Sequence, residues 1–405
     1  MEDRSSSRCR RGQIVLLVAI VLAGIFLRAW PSTGSDEVGY DERIYRVYIK
    51  MTQKEGIWNY PDVVRTYLKW QEKRSEAVVP PTRVGFLFPA IALAGVTGLE
   101  PLVALRGVSL VASILLLLAT AIIGYRLDGG ERMLVLTALM AVAPLQIYLA
   151  QRSLVDGYFA FWAVLCAWFL FESFRAPQAR GWLIAYSFSL FVLVLTKENA
   201  AFIFVALMGT LMCLWALGMG RLHLGLLMAS LLAPALALVL LASYMGGLGE
   251  WLAFYRMFSE KSVQNPYVIQ FQDGAWYRYL IDFTLLSPCI VALVFGRVFQ
   301  LTKEAKADIF WALFLGFSFL AMSCIRYGMS LRFAAYWDEP MRWLAASQLL
   351  VFQRRFSPRV GTMVAGAAIL LLATVDLMQY WQFFVKAGIY DPVSSHLLHV
   401  LRLIK

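Results

Sequence analysis

The residues able to do chemistry in this 405-residue chain gather in a few polar turns between long apolar runs. The densest turn is SDEVGYDERIYRVYIKMTQKEG, residues 35–56, where Asp36, Glu37, Asp41 and Glu42 precede an amphipathic stretch carrying Tyr45 and Tyr48. Further along stand Arg83, Arg152 with Asp156, Lys197, Arg326, Arg332 and Arg342, each beside an apolar run. A charge at membrane depth costs about 3 kcal/mol even on lenient insertion scales, so a set of such groups predicts a shared aqueous cavity at the membrane edge. Carboxylates beside cations at a lipid boundary suit chemistry in which a base activates a nucleophile while the cations hold an anionic lipid phosphate.

Blander roles compete at several positions. Asp156 stands where SLVDGYF opens an apolar helix, a setting that favours Asp as an N-cap. Lys197 can mark a membrane boundary by snorkelling, and Arg332 has Asp338 and Glu339 close by in sequence as partners. Asp36, Asp41 and Asp156 also offer the oxygen ligands that suit Mg or Mn, so a divalent ion is an alternative to a site that needs no metal.

The elements that must position these residues are membrane helices. The chain is 60% hydrophobic and 16% charged, and apolar runs of about 18 residues recur along it, which predicts an all-α polytopic membrane protein. The net charge of +11, from 37 basic and 26 acidic residues, is scattered between apolar runs instead of forming a patch. Loop charge and contact with membrane lipids account for it, and no nucleic-acid partner is implied. Among the five cysteines there is no CxxC metal knuckle, and no disulfide framework is implied.

Spans are expected near 13–30, 102–126, 132–149, 155–174, 181–196, 199–217, 222–245, 276–297, 307–325, 340–353 and 360–380, eleven in all. The first is preceded by Arg8, Arg10 and Arg11, so the N-terminus is expected in the cytoplasm. The apolar stretch 84–98 is too short to span and reads as re-entrant or interfacial. With that choice the connections bearing Arg126, Arg132, Arg175, Arg180, Arg297 and Arg354 all fall on the cytoplasmic side. The opposite face collects 31–101, with interfacial helices around Ile44–Met51 and Val63–Trp70, the aromatic loop 246–275 and the tail 381–405. Residues 1–405 thus form a single transmembrane domain with no separate soluble domain.

Asp41, Glu42, Tyr45 and then Gly56 resemble the DExxY…G signature in the first external loop of the GT-C glycosyltransferases, in the branch of protein O-mannosyltransferases and lipid A aminoarabinose transferases. Pro80-Pro81, GLEPLVALRGVSLVASILLLLATAIIGYRLDGG, APLQIYLAQRSLVDGYFAFWAVL, LTKENA and LRFAAYWDEP follow in the order found in that branch. The aminoarabinose transferases also have a basic residue before the double proline, where Val79 stands here, so either Arg83 substitutes for it or the donor contact differs. Asp36, Glu37 and Tyr40 satisfy the motif a second time, but Gly56 then falls five residues too far, which favours Asp41.

The resemblance implies a GT-C fold and inverting transfer of a sugar from a polyprenyl-phosphate-linked donor to a lipid, glycan or protein acceptor outside a bacterial inner membrane. It implies Asp41 as general base, Glu42 and Tyr45 as residues that orient it or the sugar, and Asp156 as the second acid. Lys197 and Arg332, with Arg83 and Arg152, are implied for the donor phosphate. The alternative from another class is a transporter or flippase of lipid-linked sugars, which ordinarily shows paired repeats and broken helices at the midplane.

Overall fold

The computed structural model describes residues 2–30, 38–326 and 328–404, with side chains from residue 12 onward. Among the described residues every regular element is helical. After α1 (Glu2–Ala29) comes an amphipathic pair, α2 (Tyr40–Glu55) and α3 (Tyr60–Glu72), then the short apolar α4 (Val84–Thr97). α5 (Pro101–Asp128), the pair α6 (Gly130–Ala141) and α7 (Pro144–Ala150), α8 (Val155–Arg175), α9 (Arg180–Thr196), α10 (Ala200–Ala216) and α11 (Leu224–Tyr244) build the bundle. α12 (Leu248–Ser262) and α13 (Pro266–Phe271) precede a second pair, α14 (Arg278–Leu286) and α15 (Pro288–Val298), and then α16 (Lys306–Ser323). A 3-10 segment, Leu331–Trp337, runs directly into α17 (Asp338–Gln353), followed by α18 (Pro358–Tyr380) and α19 (Ser394–Val400).

Proline sets several of the boundaries. It occupies the first turn of α3, α5, α7, α15 and α18, where its fixed φ suits a helix start and its missing N–H costs nothing. Pro144 and Pro288 also forbid continuation from the preceding helix, and α6 meets α7 at 61° while α14 meets α15 at 119°. Among the described residues six helices are long and apolar enough to cross a membrane, up to eight if each bent pair counts as one, with α4, α9 and α10 as shorter apolar helices. Eleven spans are therefore not what length and composition mark out. α17, expected over 340–353 as a short span or half-span, is not among them: it has 16 residues, and Asp338, Glu339 and Arg342 occupy its start.

The protein is an integral membrane protein, and one helix sits at its centre. Inside the bundle 83% of the apolar stretch of α8 is buried, against 11% for α1 and 22% for α18, which lie at the rim. Asp156 is thus carried at the head of the most enclosed helix. It lies in the first turn of α8, with Leu154 at the N-cap, so the anticipated capping role falls to another position. The negative charge still suits a helix N-terminus.

The first polar region is more tightly built than an interfacial loop requires. Tyr48, Tyr60 and Tyr67 donate their hydroxyls to the carbonyls of Val79, Pro81 and Val78, at 2.6, 2.5 and 3.0 Å. Gln71 accepts from the Val78 amide and donates to the Glu76 carbonyl. The chain before Arg83 is held at five points by side chains of α2 and α3. Ile44, Tyr48, Val63, Val64 and Tyr67 of the expected apolar faces are buried, while Val47 points outward. The stretch 246–275 is helical where an aromatic loop was expected: Phe254 of α12 is buried beside Tyr67, and Lys261 donates to the carbonyls of Gln71 and Arg74.

Candidate active site

Six stretches distant in sequence converge on one cluster of charges. The head of α2 supplies Asp41, Glu42 and Tyr45. Arg152 and Asp156 come from the entry to α8, Lys197 and Glu198 from the α9–α10 turn, and Arg332 from the 3-10 segment. Arg83 arrives on the tyrosine-clipped strand of chain before α4. The tail adds Tyr390 and Asp391.

Arg332 is the hub. It is buried, donates through Nη2 to Asp41 at 2.9 Å, and stands 3.4 Å through Nε from Asp391. Asp391 is itself fixed by the hydroxyls of Ser330 and Tyr267 and by the Gln272 amide. The guanidinium lies 5.2 Å from the ring of Phe333 and 5.4 Å from that of Tyr390. Lys197 Nζ sits 3.8 Å over the same Phe333 ring and pairs with Asp156 at 2.5 Å. Arg152 also lies over Tyr390, 4.9 Å from its ring. Two aromatic rings thereby gather three cations, each in cation–π range.

The carboxylates differ in their remaining capacity to accept. Glu42 is fully buried and saturated: it accepts from Arg152 at 2.7 Å, from the Ser153 amide at 2.6 Å and from the Gly39 amide at 2.8 Å. Glu198 accepts from Thr82 at 2.8 Å and pairs with Arg83 at 3.2 Å. Arg83 also donates to the hydroxyl of the buried Tyr45. Asp41 has 16% of its side chain exposed, more than Asp156 or Asp391, and Arg332 as its ion-pair partner through Oδ2.

Burial and mutual attraction set the charge states. Burial would discharge Arg332, but Asp41, Asp391 and Asp156 outweigh it and hold it charged. Glu198 goes below the usual carboxylate range because Arg83 outweighs the cost of burial. Lys197 goes the other way: burial, with Arg83 and Arg332 nearby, lowers it to about 8 in spite of Asp156. Burial pushes the Tyr45 hydroxyl up, so it is a neutral donor and acceptor.

Asp41, Glu42, Tyr45, Arg83, Arg152, Asp156, Lys197 and Arg332 therefore all belong to one connected cluster. Asp36, the second candidate base and a metal-ligand candidate, lies outside the described residues. Arg332 does not pair with Asp338 or Glu339. Asp338 belongs to Arg342, which also donates to Asp376 at 2.5 Å in a separate buried network. Asp391, Tyr390 and Glu198 join the site without having been expected there. YDP in a tail after the last span carries no motif, whereas Glu198 stands next to Lys197 in LTKENA and its sign opposite Arg83 was readable.

Gly39 shows how closely the tail is fitted. A Cβ there would fall 2.0 Å from the Tyr390 ring, so only glycine lets that ring close over the head of α2. Among the described residues no three His, Cys, Asp or Glu side chains are grouped to hold a metal ion. Of the candidates for Mg or Mn, Asp41 pairs with Arg332 and Asp156 with Lys197.

The architecture, an apolar helical bundle with the α2–α3 pair folded over the head of its central helix, is the GT-C fold. No family model and no curated protein matches the sequence. ArnT from Cupriavidus metallidurans bound to undecaprenyl phosphate superposes with a TM-score of 0.54 at 17% identity, over 89% of this chain and 63% of that one. The Archaeoglobus fulgidus oligosaccharyltransferase in its apo form gives 0.55 at 13%, over 94% of this chain and 56% of that one. At such identities the likeness is one of fold. The chain spans less than two thirds of the length of either structure.

Proposed function

We propose that the protein is an inverting glycosyltransferase that moves a sugar from a polyprenyl-phosphate carrier to an acceptor hydroxyl or amine. One observation carries the reading. Arg332 is buried, grips Asp41 through one nitrogen and leaves Nη1 with no hydrogen-bond partner among the described residues. A buried unsatisfied guanidinium N–H costs about 1–3 kcal/mol, so the site is built for an anionic oxygen to arrive there. An acid with an accessible oxygen beside a cation waiting for an anion is the pairing a single displacement needs.

In the proposed step Asp41 takes the proton of the acceptor as its heteroatom bonds to the anomeric carbon. The bond from that carbon to the phosphate oxygen breaks from the opposite side, and its electrons leave with the polyprenyl phosphate. One carboxylate suffices for inversion. Lys197 and Arg332 receive the charge of the leaving phosphate, which makes a strong general acid unnecessary. Asp156 holds Lys197 in place. Glu42 and Arg152 lock the head of α2 to the entry of α8, and Arg83 with Tyr45 borders the sugar side. The repulsion of divalent ions by Arg332 and Lys197 favours a site that works without metal. The carrier bound in the Cupriavidus metallidurans ArnT structure supports a polyprenyl-phosphate donor for the shared fold.

The arginines and lysines at the far end of the bundle favour a cytoplasmic N-terminus and an active site on the periplasmic face of a bacterial inner membrane. The test is to incubate purified protein with a panel of polyprenyl-phosphate sugars and membrane extract as acceptor, following release of free polyprenyl phosphate. Release from one donor supports the reading and names the sugar. Absence of release from every donor refutes it in favour of a carrier of lipid-linked sugars.

A further inference from the structure

At the end of the bundle opposite Asp41 lies a cavity of about 630 Å³, between the C-terminal ends of α5 and α8, the start of α16 and the later turns of α17. α8 carries Asp156 at one end and Arg175 at the other, about 30 Å apart along a straight helix, so the cavity opens at the other membrane face. Its wall is apolar where the partly exposed Leu127, Ala307 and Val351 line it.

The cations around it fall into two sets. Arg132 and Arg297 are structural. Arg132 pairs with Asp128 at 2.7 Å and donates to the Trp343 carbonyl. Arg297 pairs with Asp308 at 2.5 Å, and Asp308 also accepts from the Trp343 indole and Ser347. Arg175, Lys306 and Arg354 are different. Arg175 is 4.0 Å from Glu172, which Arg126 engages at 2.8 Å. Lys306 and Arg354 form no ion pair among the described residues. All three are exposed and face one further lining carboxylate, the exposed Glu304.

We propose that this cavity binds the headgroup of an anionic phospholipid from the leaflet opposite the active site. Its phosphate sits among Arg175, Lys306 and Arg354, and its acyl chain lies against Leu127, Ala307 and Val351. A basic pocket between membrane helices with an apolar wall matches a headgroup joined to hydrocarbon, whereas a soluble phosphate leaves that wall wet.

The experiment uses the full chain in nanodiscs of equal phosphatidylglycerol and phosphatidylcholine, with retained lipid identified by native mass spectrometry after release. Wild type retains phosphatidylglycerol in preference. Each cation at an anionic headgroup contributes about a factor of five, so Arg175→Gln/Lys306→Gln/Arg354→Gln loses on the order of 100-fold in that preference, and Arg354→Gln alone about fivefold. The charge-keeping Arg175→Lys/Lys306→Arg/Arg354→Lys retains it within a few-fold. Equal retention of both lipids by wild type, or an unchanged preference in the triple glutamine variant, overturns the proposal. So does complete displacement of phosphatidylglycerol by millimolar inorganic phosphate, which identifies a soluble anion as the ligand. The readout is bound lipid, so it is independent of whether sugar is transferred.

Discussion

Asp41 and Glu42 are adjacent carboxylates with opposite assignments, and a pair of amides separates them. In Asp41→Asn the acceptor loses its base. General-base catalysis is worth about 10²–10⁴ in rate, or about 3–5 kcal/mol of barrier. The fold loses little. Asn still accepts from Arg332, and Asp391, 3.4 Å from its Nε, still compensates the buried guanidinium, so no orphaned charge is left. In Glu42→Gln the order reverses. Arg152 keeps at most a neutral oxygen where it had a fully buried carboxylate at 2.7 Å, and whichever way the amide turns, an NH₂ group faces either the Ser153 amide or the Gly39 amide together with Arg152. Breaking a buried pair from one side costs about 3–5 kcal/mol. The assay is donor turnover, followed by release of polyprenyl phosphate, alongside thermal unfolding in detergent and binding of free polyprenyl phosphate. Asp41→Asn is expected to fold and bind the carrier while turnover falls at least a hundredfold, and Glu42→Gln to unfold at markedly lower temperature. Wild-type turnover in Asp41→Asn would falsify the assignment and move the base to Asp36 or elsewhere.

Lys197, lowered to about 8, is charged below that pH and neutral above it, so kcat/KM for the donor falls roughly tenfold per unit as pH rises past 8. Lys197→Arg moves that limb to higher pH. Its contribution to stability runs the other way: between about 8 and its unfolded value the unfolded chain binds more protons, so the fold gains stability as pH rises there. A Lys197→Arg profile that still breaks near pH 8 removes Lys197 from the phosphate site. Arg332→Ala leaves Asp41 and Asp391 without their shared cation and is expected to raise the donor KM at least tenfold more than the acceptor KM; equal effects on both argue against a phosphate contact. Gly39→Ala drives a methyl into the Tyr390 ring and should cost about 1–3 kcal/mol of stability, measured by thermal unfolding, while Gly249→Ala, with open space around it, changes little. Treatment with EDTA is expected to leave turnover unchanged, because cations face both Asp41 and Asp156; loss of activity restored by Mg or Mn would reassign those carboxylates as ligands.

The all-helical membrane class was legible because hydrophobic length is a local property: a run such as Leu102–Ile123 declares a span whatever surrounds it, whereas the GT-C fold was implied only by the resemblance around Asp41, Glu42 and Tyr45. The candidate cations and acids were legible for a related reason. Charge beside apolar runs is costly enough to be kept for a purpose, and that singles out Asp41, Asp156, Lys197 and Arg332 without reference to any pairing. Tilts and breaks were not readable from hydropathy. Residues 276–297 look like one span, yet Pro288 turns them through 119°.

Pairing lay beyond the sequence altogether. Arg332 has Asp338 and Glu339 six and seven residues away but reaches Asp41 and Asp391, because the 3-10 segment points it away from the start of α17 while α2 and the tail close over it. Glu42 reads as the second acid of a catalytic motif, yet its three hydrogen bonds make it a bolt between α2 and α8. The tail after 381 carries no motif, and nothing in its composition announces that Tyr390 and Asp391 complete the cluster. Sequence alone determined which residues water and lipid would make expensive to bury. Only the tertiary structure decided which of them compensate one another, because a Coulomb energy depends on separation in space, and residues 291 positions apart such as Asp41 and Arg332 come within 2.9 Å only when the chain is folded.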